Sequence, residues 1–134
     1  MPHTYDINRK ANLVRIVVTG HDTAPEMERR LREITNDLRF SPGMDALVDL
    51  TGMTGLDASP DQIGDIAALH GMLDALIGDG RLALVAEQGL PLGFSQLYRT
   101  FGEQRTSMKI RVFASVGEAE RWLGIRPPKD DDRG

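Results

Sequence analysis

The sequence predicts an α/β domain: a mixed, mostly parallel β-sheet edged by an N-terminal β-hairpin and covered by about four α-helices. Two strand-like runs open the chain back to back. After them, short apolar runs alternate with longer stretches in which apolar residues recur every three or four positions. A strand, helix, strand succession of that kind closes into a parallel pair through a right-handed crossover.

The hairpin comes from residues 4–9 and 13–19, the second run rich in β-branched residues, joined across Lys10-Ala11-Asn12. Gly20-His21-Asp22-Thr23-Ala24-Pro25 breaks the pattern, with Asp22 or Thr23 available as a helix cap and Pro25 tolerated in a first turn. Over residues 26–38, Met27, Leu31, Ile34 and Leu38 fall on one helical face. The other face is charged, and Glu26 with Arg30 and Glu28 with Arg32 stand at pairing distance on it.

Ser41-Pro42-Gly43 stops this helix, and residues 46–50 form a short buried strand. A second helix is expected over residues 60–77, with Ile63, Ile66, Ala67, His70, Leu73 and Ile77 on one stripe and Gly78-Asp79-Gly80 as its stop. Residues 81–86 are the next strand. A third helix over residues 91–105 carries Leu90, Phe94, Leu97 and Phe101 at helical spacing, with Tyr98 one turn beyond Phe94. A last strand, residues 109–113, leads through Ser115-Val116-Gly117-Glu118 into a short helix bearing Ala119, Trp122 and Leu123. Residues 1–124 read as one domain and residues 125–134 as a disordered charged tail.

Composition narrows the function classes. The chain has 134 residues, 40% hydrophobic and 27% charged, which is enough apolar material for one core. A net charge of -4 with arginines dispersed among glutamates argues against nucleic acid. Without cysteine there is no disulfide framework, thiolate metal site or thiol nucleophile. No signal-peptide plan opens the chain, and no apolar run is long enough for a membrane span, so a cytoplasmic protein is expected. His3, His21 and His70 lie in separate segments without metal-ligand spacing, and the glycine pairs fit neither a P-loop nor a dinucleotide fingerprint. No metal, no cofactor and no enzymatic constellation is expected.

The segment Leu47-Val48-Asp49-Leu50-Thr51, running through Leu56 into Asp57-Ala58-Ser59, resembles the STAS superfamily and its SpoIIAA-like (anti-sigma factor antagonist-like) domains. The order of elements supports the same resemblance. In that family such a strand enters an Asp-Ser-Ser-Gly or Asp-Ser-Thr-Gly turn, whose second hydroxyl residue is phosphorylated by a partner kinase. The resemblance therefore implies a SpoIIAA-like fold and makes Ser59 the phosphoacceptor candidate, supported by Asp57 and Asp49. Ala58 stands in place of the first hydroxyl residue and Pro60 in place of the glycine. The chain's ending, from Ile110 to Leu123, looks like the uncharacterised bacterial branch of these proteins, sometimes grouped with lipid-carrying SEC14-type domains.

Two uses of the chain follow. The first is a regulatory or protein-interaction module switched at Ser59. Against it, Ser59-Pro60-Asp61-Gln62 is itself a capping box, worth about 1 kcal/mol with no partner needed. The second is a small carrier or sensor for an apolar, lipid-like molecule, or a homodimer surface, using Phe94, Leu97, Tyr98 and Phe101 with Met72 and Met108 nearby. Core packing is the ordinary use of such a stripe.

Overall fold

β1 (His3–Asn8) and β2 (Leu13–Thr23) pair antiparallel, and Asn12, with φ of +56°, turns the chain between them. The computed structural model describes residues 3–125. Among these, the remaining elements are α1 (Ala24–Thr35), β3 (Asp45–Asp57), α2 (Pro60–Met72), α3 (Asp74–Ile77), β4 (Arg81–Val85), α4 (Gly89–Arg105), β5 (Lys109–Phe113) and α5 (Val116–Leu123). The strands lie in sequence order, β1-β2-β3-β4-β5, and every pair after the hairpin is parallel. The mixed, mostly parallel sheet is as expected.

Alternation along each strand separates two apolar faces. Leu82 and Leu84 join Val18, Leu50 and Ile110 in the main core beneath α1, α2 and α4. Ala83 and Val85 join Leu13 and Leu47 on the opposite face, which α5 covers with Ala119 and Leu123. Gly124, with φ of +75°, ends α5, and the Ile125 N–H donates to the Glu120 carbonyl at 2.9 Å. Ile125 packs against the α5 cluster, so the ordered unit reaches one residue into the stretch expected as a tail. The rest of that stretch lies outside the described residues.

Several boundaries differ from expectation. β3 runs to Asp57 because β2 also continues: Thr19 to Thr23 pairs with Gly52 to Asp57, past two register shifts. Gly20, at φ of +70°, absorbs one irregularity without ending the strand. The first helix begins at Ala24 and ends at Thr35, which leaves Leu38 outside it and 97% exposed rather than on the buried face. The stretch expected as one helix over residues 60–77 breaks at Leu73 into α2 and the single turn α3. There Asp74 accepts from the Ser107 backbone N–H at 2.9 Å, tying the break to the loop after α4.

Candidate functional site

Between the sheet and the helices α1, α2 and α4 lies a cavity of about 140 Å³. Its floor is the apolar face of β2, β3 and β4, with Ile16, Val48 and Leu84 among the lining side chains. Met27 and Ile34 of α1, Ile66 of α2 and Phe94 of α4 contribute to the walls. The lining is almost entirely apolar. Its exceptions are Arg30, Thr35, His70 and Tyr98.

Arg30 enters the wall because it lies three residues after Met27 and four before Ile34, on the buried stripe of α1. It is 8% exposed, and its guanidinium donates to Asp22 Oδ2 at 2.7 Å, where the carboxylate is fully buried. Asp22 Oδ1 also accepts from the Thr23 N–H at 3.0 Å. The expected pairing of Arg30 with Glu26 on a solvated face does not form. Glu26 pairs with Arg29 instead, while Glu28 with Arg32 pairs as expected at 3.1 Å. The helix cap falls to Thr23, whose hydroxyl accepts from the Glu26 N–H at 3.2 Å. Asp22 is thereby left for the ion pair. One guanidinium nitrogen, Nη1, is buried without a hydrogen-bond partner.

His70 lies on the inner stripe of α2, 4% exposed, with its Nδ1 2.8 Å from the Tyr98 hydroxyl of α4. The two rings stack at 6.2 Å between centroids, and Phe94 stacks on Tyr98 at 5.9 Å. Burial lowers the His70 pKa from the ordinary 6.5 to about 4, against a weak opposing pull from Asp74. The same burial pushes the Tyr98 phenol up, so both groups are neutral around pH 7. His70 Nε2 is a second buried nitrogen without a partner.

The four residues expected on an apolar site divide in two. Phe94 and Tyr98 line the cavity, whereas Leu97 and Phe101 pack into the main core without lining it. Phe101 lies against Gly64 of α2, in ordinary contact range of where a Cβ would stand. Met108 lines the cavity, but Met72 is 81% exposed and does not. Leu90, expected on the same stripe, is 48% exposed.

Ser59 caps α2 as its sequence implies. Its hydroxyl accepts from the Gln62 N–H at 3.2 Å, its own N–H donates to Gln62 Oε1 at 2.8 Å, and Pro60 follows in the first turn. The residue is exposed, as is Asp57 at the end of β3. Asp49 is half-buried and accepts from the Thr51 N–H at 3.0 Å and from its hydroxyl at 2.6 Å. Ser59 and His70 stand eleven residues apart along the same stretch, about 16 Å at helical rise. The cap and the cavity are separate places. Among the described residues, no cluster of three or more histidine, aspartate or glutamate side chains is placed to hold a metal ion. No helix among them is long and apolar enough to cross a membrane.

No family model matches the chain, and no curated protein does. Among solved structures it is similar to an uncharacterised protein of the DUF3478 family from Shewanella loihica PV-4, described as having a SpoIIAA-like fold. The two are 21% identical with a TM-score of 0.58, over 90% of this chain and 93% of that one. The fold of the present chain is SpoIIAA-like.

Proposed function

We propose that this SpoIIAA-like domain is a non-enzymatic binding module whose cavity takes a small apolar molecule, as a carrier or sensor. The observation that carries this reading is the cavity itself, about 140 Å³ of apolar-lined space between the sheet and three helices. Well-packed cores hold few voids larger than a water molecule, and an apolar cavity of about 150 Å³ is known to admit benzene. The polar groups in the wall favour holding over turnover. His70 and Tyr98 are both held neutral and bonded to each other, which is poor placement for moving a proton near pH 7.

A thermal melt in saturating toluene tests the reading. A ligand that binds only the folded state raises the melting temperature, by about 2.7 kcal/mol of added stability at a hundredfold excess over Kd. The wild-type protein should show the rise. Val48→Phe, which fills the cavity from its floor, should abolish it. A wild-type melting temperature unmoved by toluene overturns the reading.

The exposure of Ser59 supports a second reading, a phosphorylation switch governing a protein partner. A phosphate there would face the positive end of α2 and leave that helix intact. Ser59→Asn and Ser59→Asp both retain a cap and differ in charge, so a pulldown with the pair isolates the switch. Different partner sets are expected, and identical sets overturn it.

A further inference from the structure

Leu38 is 97% exposed, and the turn that presents it is braced. The Phe40 N–H donates to the Asp37 carbonyl at 3.0 Å and closes that turn. The Asp37 carboxylate is held from two sides. It accepts from the Arg39 N–H at 2.9 Å, from the Arg39 guanidinium at 3.0 and 2.9 Å, and from the Tyr5 hydroxyl of β1 at 2.9 Å. A single exposed leucine is ordinary. A leucine fixed at the tip of a braced turn is a ready anchor, because the entropy that docking would remove has already been given up in folding.

A socket of matching size lies beside it. Thr35 and Phe40, three residues before Leu38 and two after, both line the cavity. Both are half-buried, so they stand where the cavity meets the surface. A volume of about 140 Å³ is in the size class opened when a leucine is cut back inside a packed core. At its exposure, Leu38 does not fill the cavity of its own chain.

A second copy can supply the side chain. Because anchor and socket are neighbours on one surface, two chains related by a twofold axis exchange leucines reciprocally, and the contact closes as a dimer instead of propagating. The charges at the rim suit such a copy. Glu33 is exposed and belongs to none of the ion pairs among the described residues, while Arg32 and Arg39 are exposed cations close to it in the chain. A twofold copy therefore meets both signs and no excess of like charge.

We propose that the free protein is a homodimer in which Leu38 of each chain fills the cavity of the other, and that a small apolar ligand releases the dimer by taking the same space. The proposal rests on the reading of the cavity as an apolar binding site and gives that site an output. Ligand and second copy exclude one another, so each weakens the binding of the other by the same factor. The module is then a sensor whose signal is its own assembly.

Sedimentation equilibrium of the full chain, with and without saturating toluene, tests this against Leu38→Ala. So exposed a side chain supports little in its own chain, and the variant keeps its fold. The wild type should be a dimer. Leu38→Ala should raise the dimer Kd by about a thousandfold, about thirtyfold for each of the two leucines, as expected of central anchors. Toluene should convert the wild type to monomer. In a mixed labelled and unlabelled sample, intermolecular NOEs from the Leu38 methyls to Ile34 and Val48 should appear without toluene and vanish with it. A wild type monomeric at every concentration, a dimer that Leu38→Ala leaves intact, or one that persists in saturating toluene overturns the proposal. The cavity reading is read separately from the melt of Leu38→Ala, in which no second copy competes. A rise in melting temperature with toluene there leaves the apolar site standing without the dimer, and no rise removes both.

Discussion

The buried charges and dipoles of this protein act through their neighbours. His70 gives the clearest measurable consequence, because burial lowers its pKa from 6.5 to about 4. As pH falls below about 6.5, an unfolded chain takes up a proton at this position and the folded chain does not until about pH 4. Stability should therefore be level with pH above about 6.5 and decline between there and about pH 4, by about 3 kcal/mol in total for this group. His3, also lowered by burial and by the nearby Arg30, adds to the decline with the same sign. Asp74 is held below the usual carboxylate range by its bonds to Ser107, so its contribution is lost only at lower pH. Urea denaturation at about pH 7 and pH 4.5 should show a distinctly smaller loss for His70→Gln than for the wild type. Equal losses would mean that the imidazole is not held neutral. Arg30, His70 and Tyr98 were each visible as positions in a helical pattern. What the pattern could not supply was their partners, since Asp22 lies beyond the helix start and Tyr98 is 28 residues from His70.

Among the elements, α2 is the one on which most depends, because it packs against both α1 and α4 and carries His70 between them. Its close approach to the end of α4 rests on Gly71. A Cβ on Gly71 would stand 2.6 Å from the carbonyl oxygen of Arg105, a backbone atom with little room to yield. Gly71→Ala should therefore destabilise the fold by about 1–3 kcal/mol, even though alanine is the better helix former by nearly 1 kcal/mol. A chemical denaturation midpoint at or above that of the wild type would show that the two helices can separate freely. The capping box of α2 was legible because its bonds are local: Ser59 and Gln62 meet wherever this helix starts. The extension of β2 and β3 was not. Gly52 and Gly55 read as turn glycines, and the parallel pairing with β2 keeps the chain extended there.

For the molecule as a whole, the sheet divides the labour. One face carries three helices, the main core and the cavity; among the described residues the other is covered by α5 over Leu13, Leu47, Ala83 and Val85. The SpoIIAA-like likeness extends over nine-tenths of the chain. By itself the sequence determined the fold class, the hairpin, the order of strands and helices, and the cap at Ser59. These follow from periodicity, turn chemistry and hydrogen bonds between residues a few positions apart, which any short segment carries within it. Only the tertiary structure decided that Arg30 turns from the solvated face to Asp22, that His70 meets Tyr98, and that Leu97 and Phe101 pack while Phe94 and Tyr98 line a space. Those outcomes depend on which elements the folded sheet brings together, and a cavity is a property of several elements failing to fill the volume between them, which no single stretch of sequence records.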